Sequence, residues 1–557
     1  MSKNKINTGE TLLRALKDAG ATALFGLPGD YILPFFDVAT ACDILPIYML
    51  SHEPSVGYAA DAAARYGGGI GVAVVTYGAG ALNMVNAVAC AWAEKSPLVV
   101  ISGAPGKREF EDGLLLHHQL LDSKSQLNMF KEVTCAQAVL DDPKTAAAEI
   151  ARVLAECKRR SRPVYIELPR DVVTLPCKPA KPLKVKPPSA RAARSMARLI
   201  ARKLKHARHP AILAGVEVRR FGLEQKVAAL AAKTGIPLAT TLMGKGMFTH
   251  VDSPSLGTYI GEAGDDDIRK AIEGADVLVI LGAILSDTNF AIAGKVITTP
   301  SAIYINEDEL TVGGWKRTPV DMGLLLDALT EIMPAHVEEE QRPPLFACMR
   351  GKKPVSPPDF TDAPLTADHV MDVLRFLPKE ASDMPVTADM GDCLFISAGI
   401  PDVPFLASVY YATMGFGVPA ALGVQAATHA RALVVTGDGG FQMTGWELLN
   451  CKLNGLDPVV LVLNNSGWGM LKRFSGDKDY IARGVFSYAA LAETLGGTGY
   501  VASTGRELKL ALETALQRRG KFQLVEAVLS QNEVSTALKN YVAIFRKNKL
   551  AAAKRRT

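Results

Sequence analysis

The 557-residue sequence predicts an α/β protein of three doubly wound parallel-sheet domains, the first and third similar in fold. Three observations carry that expectation. The length exceeds what one hydrophobic core supports. Two proline-rich, apolar-poor stretches, Pro176 to Pro188 and Arg342 to Pro364, divide the chain into segments of ordinary domain size. One pattern of apolar strand, glycine-rich turn, helix and apolar strand also occurs twice at nearly equal length. Val74-Val75-Thr76 leads through Gly78-Ala79-Gly80 to the run Leu98 to Gly103, and Val434-Val435-Thr436 leads through Gly437-Asp438-Gly439 to Val459 to Asn465. Each is the βαβ unit of a parallel sheet. The expected domains are 1–180, 190–341 and 365–540, followed by a basic tail over 541–557. The middle one has its own strand candidates, Ala211 to Leu213 and Val277 to Gly282.

Composition narrows the class. Hydrophobic residues make up 48%, which is globular. No apolar segment follows the polar start Met-Ser-Lys-Asn-Lys, so a cytoplasmic protein is expected. Gly67 to Ala93 holds no charged residue, yet Gly78, Gly80, Asn83 and Asn86 interrupt it, and strand–turn–helix fits better than a membrane span. Eight scattered cysteines without a C-x-x-C pair read as reduced thiols. The net charge of +5 conceals ten Lys/Arg and no acid within 178–205, and six more basic residues within 546–557, so the body of the chain is net acidic. Without aromatic interleaving or a recognition motif these read as a solvated linker and a frayed terminus, not a nucleic-acid or lipid surface. No P-loop or complete G-x-G-x-x-G fingerprint appears.

The most specific motif spans Gly437-Asp438-Gly439 to Asn464-Asn465, with 27 residues from the aspartate to the second asparagine. An apolar run precedes each half, and a helix-like segment, Phe441 to Leu453, lies between. Both halves therefore sit at the carboxyl ends of neighbouring parallel strands, where open α/β sheets bind ligands. The Asp438 carboxylate, the Asn465 side-chain carbonyl and a loop carbonyl from Ser466-Gly467 offer a hard cation three oxygens. Diphosphate oxygens would complete the octahedron magnesium demands. Gly439 and Gly440, opening a helix, give phosphate close access to backbone N–H groups.

In the first segment, Glu53 follows the apolar run Ile44 to Leu50 and is placed at a strand end. Gly26-Leu27-Pro28-Gly29-Asp30 is a turn after Ala23-Leu24-Phe25, which puts Asp30 at another. His117-His118 is a bare pair, either a metal pair, a surface accident or, beside a carboxylate, a proton relay near neutral pH.

Together these motifs resemble the thiamine-diphosphate-dependent 2-oxo acid decarboxylases, over nearly the whole chain from Thr8 to about Ala543. The order Gly-Asp, His-Glu, His-His is closest to the phenylpyruvate and indolepyruvate decarboxylase branch. The resemblance implies thiamine diphosphate and Mg2+ as cofactors, the ion on Asp438, Asn465 and Gly467. It implies that Glu53 activates the cofactor through its aminopyrimidine, and that Asp30, His117 and His118 deliver the proton. It places Met414 as a wedge beneath the cofactor, Ala412 and Thr76 at the pyrimidine, and Asp392 and Cys393 in a loop on the diphosphate side. The implied reaction is non-oxidative loss of CO2 from a 2-oxo acid through a thiazolium ylid, leaving an aldehyde. It also implies a homodimer or homotetramer with sites between subunits.

One departure bears on substrate. Pyruvate decarboxylases carry a glutamate shortly after the Asn pair, and this chain has Leu471 there. With Trp468 and Phe290 it would build an apolar wall, favouring aromatic or long aliphatic 2-oxo acids over pyruvate. The rivals are a carboligase of the acetohydroxyacid-synthase type, a benzoylformate decarboxylase, and a catalytically silent member of the fold. Acetohydroxyacid synthases lack the His pair, benzoylformate decarboxylases place their histidines differently, and the intact Glu53, Asp438 and Asn465 argue against a silent member.

Overall fold

The computed structural model describes residues 6–111, 114–183, 188–290, 302–307, 309–312, 317–335, 357–358, 360–377, 383–400, 403–476, 478–481 and 484–554. Three main sheets are present. The first orders its strands Ile47–Met49, Leu24–Gly26, Gly71–Val75, Leu98–Ala104, Val164–Pro169, Gln137–Val139, all parallel. The third orders Phe405–Ala407, Val386–Ala388, Leu433–Gly437, Val459–Asn464, Gln523–Val528, Thr498–Ala502, again all parallel. Numbered along each domain, both read 2-1-3-4-6-5. The central strands open on Val/Ile/Leu runs, Leu98 to Ile101 and Val459 to Leu463, and are buried throughout, as a sheet covered by helices on both faces requires.

The middle sheet departs from the purely parallel expectation. Ser255–Tyr259, Leu238–Thr241, Pro210–Ala214, Val277–Leu281 and Ile303–Ile305 are parallel, but Glu309–Val312 and Arg317–Pro319 are antiparallel. The connections into those last two strands are only a few residues long, far below the roughly dozen a parallel crossover needs.

The basic stretches also differ from expectation. Much of 178–205 is helix Ala190–His206, which is capped by Ser189 and buries Ala193, Ala197, Ile200, Ala201 and Leu204, leaving its cations on the other face. Residues Pro176–Cys177 pair with Ile6–Asn7 as a short antiparallel ribbon. Up to Lys554 the tail expected to fray is helical backbone, part of helix Thr536–Lys554, and 555–557 lie outside the described residues. Among the described residues no helix is long and apolar enough to cross a membrane, and the uncharged run 67–93 folds as strand Gly71–Val75 with helices Ala79–Asn83 and Val85–Ala93.

The first and third domains share one core. Helix Glu53–Gly67 lies against helix Gly417–Thr428, with Val56, Ala59, Ala60 and Ala63 meeting Val418, Ala421, Leu422 and Val424. Approach is so close that a Cβ at Gly423 would fall 2.0 Å from the Ala59 carbonyl oxygen. Arg65, buried among these chains, pairs with Asp61 and donates to the Ala407 carbonyl at 3.0 Å, so the interface charge is fully partnered.

Candidate active site

The first domain places its candidate side chains on the carboxyl edge of three neighbouring strands. Strand Ile47–Met49 leads to Glu53, Leu24–Gly26 to Asp30 and Gly71–Val75 to Thr76. Proximity follows from the glycines between them. A Cβ on Gly29 would fall 2.6 Å from the Thr76 Cβ, and one on Gly80 would fall 2.9 Å from Thr76 Cγ2 and 3.5 Å from Glu53 Oε1. Glu53 opens its helix, where the dipole favours negative charge, and its Oε2 accepts from Asn83 Nδ2 at 2.7 Å. The Thr76 hydroxyl is buried with no hydrogen-bond partner. A buried polar atom without a partner calls for a ligand group beside it.

Both histidines join this edge. His117 Nε2 lies 2.8 Å from Asp30 Oδ2, and its Nδ1 lies 3.1 Å from the Tyr31 hydroxyl. His118, with φ of 67°, has Nδ1 3.1 Å from the Tyr77 carbonyl, and its own backbone packs on Gly78. Arg170 sits 3.7 Å from Asp30 and also pairs with Glu109, and that hydrogen bond holds the Glu109 carboxyl below its usual range. Sequence reasoning missed Tyr31 and Arg170. A tyrosine directly after Asp30 was the only available signal for the first, and none pointed to the second.

The third domain holds a different set. Asp438 is 3% exposed and joins both halves of its motif: Oδ1 accepts from Gly439 N at 2.7 Å and Oδ2 from Gly467 N at 3.0 Å. The two asparagines diverge. Asn464 turns inward, donating to Glu526 at 2.7 Å, whereas the Asn465 amide lies over Gly469 and lines a small cavity with Ser466, Gly467 and Trp468. Ser466 takes a positive φ of 53°, which carries the chain sharply between Asn465 and Gly467. Trp468 packs on the motif, its Nε1 2.5 Å from where a Gly439 Cβ would sit. Leu471 is 47% exposed on helix Gly469–Ser475. The side chain of Phe290 lies outside the described residues.

Ala412 and Met414 are half-buried in a turn clamped from several sides. Glu94 accepts from the N–H groups of Tyr410 and Tyr411, Tyr58 meets the Thr413 hydroxyl at 2.7 Å, and Thr444 donates to the Gly415 carbonyl. Ala412 has φ of 59°, a costly geometry that this clamp maintains. Asp389, unforeseen in the sequence, accepts from the Thr436 hydroxyl at 2.6 Å and Gly417 N at 3.0 Å, and lies against Gly440. Burial raises its pKa, the donated hydrogen bonds opposing. Asp392 and Cys393 are engaged elsewhere. Asp392 accepts from Ser535 N at 2.7 Å and from the Ser535 hydroxyl, and the Cys393 thiol donates to the Asp389 carbonyl at 3.0 Å. They are not the loop expected but the first two residues of helix Asp392–Ala398, and these contacts occupy both side chains.

The donor set fits a magnesium diphosphate. Around Asp438 stand one carboxylate, one amide and one loop backbone, and among the described residues no three His, Cys, Asp or Glu gather to hold a metal unaided. A hard cation there would draw its remaining oxygens from phosphate.

Comparison with known proteins agrees. Residues 6–129 match the thiamine pyrophosphate enzyme N-terminal TPP-binding domain, 197–333 the central domain, and 389–527 the C-terminal TPP-binding domain. The chain is 47% identical to an indole-3-pyruvate decarboxylase of Azospirillum brasilense over 96% of this chain and 97% of that one. It is 33% identical to an alpha-keto-acid decarboxylase of Mycobacterium bovis over 95% of each, and equally to one of Mycobacterium tuberculosis. Thiamine diphosphate with Mg2+ is the cofactor such domains bind. On matched domains and near-full-length likeness, the chain belongs to the thiamine-diphosphate-dependent 2-oxo acid decarboxylases, in the branch of the indole-3-pyruvate enzyme.

Proposed function

We propose that the chain releases CO2 and an aldehyde from an aromatic 2-oxo acid of the phenylpyruvate or indolepyruvate type, or from a long or branched aliphatic one. The observation that carries this reading is the Asp30–His117 pair on the same strand edge as Glu53 and Thr76. Bound thiamine diphosphate supplies a carbanionic C2 and a ring that takes up the electrons CO2 leaves behind. Glu53 holds the proton shared with the aminopyrimidine, and Thr76, Ala412 and Met414 orient that ring. Asp438, Asn465 and Gly467 hold magnesium, with Gly439 and Gly440 against the diphosphate. Asp30, His117 and His118 return a proton to the carbon that lost CO2. That supply favours aldehyde release over the acyloin a carboligase would form.

Two further readings belong with it. Trp468 and Leu471, with Phe290, would form the apolar wall. Each buried methylene contributes on the order of 0.8 kcal/mol and an enclosed ring several times that, so aromatic acids should exceed pyruvate by tenfold or more in kcat/KM. The site would also lie between subunits of a cytoplasmic homodimer or homotetramer. Met443, Trp446, Leu449 and Leu453 form an exposed apolar stripe between the two halves of the metal motif, Trp446 at 56% and Leu453 at 74% exposed. The same segment reaches Ser51 of the first domain through Glu447 at 2.9 Å.

The test is CO2 release across a panel of 2-oxo acids with chromatography of the product. Aldehyde from phenylpyruvate or indolepyruvate is expected, acyloin would favour the carboligase, and a higher kcat/KM for pyruvate would defeat the apolar wall. Mixing Glu53→Gln and Asp438→Ala chains should restore part of the activity, and failure after verified subunit exchange would place the site within one chain.

A further inference from the structure

We propose that Tyr31 is a positioning residue for proton transfer, its hydroxyl holding His117 against Asp30 and serving both protonation states of the imidazole without a side chain moving. The inference rests on His117 acting as proposed above.

Tyr31 is 1% exposed, and its ring is fixed on three sides. It stacks on the His117 imidazole with centroids 4.6 Å apart and planes inclined by 19°. The ring of Tyr77 meets it edge-on at 5.8 Å, and the Arg170 guanidinium lies 4.9 Å over its face. A phenylalanine would fill the same volume and keep those contacts, so the hydroxyl needs its own account. That oxygen stands 3.1 Å from His117 Nδ1 and 3.4 Å from the His117 carbonyl oxygen.

The two distances define two hydrogen-bond states. In the neutral imidazole, Nε2–H donates to Asp30 at 2.8 Å and Nδ1 accepts from the Tyr31 O–H. In the imidazolium both ring nitrogens are donors. Nδ1–H then donates to the Tyr31 oxygen, and the phenolic proton turns toward the His117 carbonyl. The two states differ by the proton on Nδ1 and by rotation about the phenolic C–O bond. From the imidazolium the Nε2 proton can pass to the Asp30 carboxylate, whose O–H then donates back to Nε2 while Nδ1–H stays on the Tyr31 oxygen. The ring thus keeps its place and both nitrogens remain partnered. The charged groups facing the phenol are Asp30, Arg170 and Glu109, with His118 edge-on at 6.3 Å. Burial first and the Asp30 charge second raise the phenol's pKa, so it remains an O–H in both states.

The experiment is Tyr31→Phe in the full-length holoenzyme, read by kinetics and by 15N-histidine NMR, with a His117→Asn sample used only to assign the signal. The variant should fold, bind thiamine diphosphate as the wild type does and keep KM within about threefold, while kcat falls about tenfold, the effect of one hydrogen bond lost in the transition state. The solvent deuterium isotope effect on kcat should rise. In the wild type the neutral His117 should be the Nε2–H tautomer alone, and in the variant both tautomers should appear. Unchanged kcat, isotope effect and tautomer ratio in a folded variant would overturn the proposal. If the variant does not fold, the wild-type spectrum decides, because an Nδ1–H tautomer there is incompatible with the assignment. The tautomer is read without substrate, so a wild type inactive on every 2-oxo acid would refute the proposed function and not this inference.

Discussion

The first and third domains share the strand order 2-1-3-4-6-5, yet they bring opposite equipment to the same strand edge. The first presents ionisable side chains, Glu53, Asp30, His117 and His118, on turns spaced by glycine. The third presents backbone and one carboxylate, with Asp438 between two loops and Asp389 drawn inward to the turn at Gly417. A common βαβ frame fixes which edge is open to ligands, and under the proposed function the turn residues would decide whether that place handles protons or anions.

The division can be tested in order of expected effect. Asp438→Ala should abolish magnesium-dependent cofactor binding, because the metal loop loses its only carboxylate. Calorimetry giving unchanged thiamine-diphosphate affinity would sink the metal assignment. Glu53→Gln should spare cofactor binding but lower turnover by about 10²–10⁴, the usual scale of a lost acid–base group. Hydrogen–deuterium exchange at the cofactor C2, measured without substrate, should slow in parallel, and an unchanged exchange rate would break the division between the two domains. Asp389→Asn tests whether the third domain works through preorganised backbone. It replaces an acceptor of several N–H and O–H donors with a group carrying its own donors, and cofactor affinity should fall about tenfold with the fold retained. An affinity equal to wild type would show that the turn holds its shape unaided.

The last effect concerns the stability of the first domain and not the site. Burial pushes the Glu167 carboxyl up to about 7 from an ordinary 4.5, the Tyr165 hydroxyl opposing with a donated hydrogen bond. Because the folded value is the higher one, the folded state holds a proton the unfolded state has lost throughout that window. Stability from this group is therefore greatest below about 4.5, declines by on the order of 1 kcal/mol per pH unit up to about 7, and is flat above. Melting temperatures of wild type and Glu167→Gln across that range should converge at low pH and separate as pH rises, the variant being the more stable. Parallel curves would assign Glu167 an ordinary ionisation.

Local pattern made much of this legible. The strands around 71–104 and 433–464 are apolar runs bounded by glycine turns, and their parallel pairing follows from the helix each pair encloses. The middle sheet's antiparallel edge was not legible, because its strands are only four and three residues long. The basic helix Ala190–His206 was hidden by its charge, although Ala193, Ala197, Ile200 and Leu204 recur at helical spacing. In the site, Asp438 and Asn465 stood out through spacing within one βαβ unit, whereas the Asp392 and Cys393 side chains are drawn off by Ser535 and a backbone carbonyl.

The sequence by itself determined the strand–turn–helix units and the residues at their carboxyl ends, since these depend on interactions within about thirty residues of chain. Tertiary structure decided the partnerships between them. Tyr31 meets His117 across 86 positions, Asp389 meets Thr436 across 47, and Glu447 meets Ser51 across 396. Such contacts leave no periodic trace, because they arise only when separate strand ends are brought side by side, and the sheet order that does so is set by packing of the whole core.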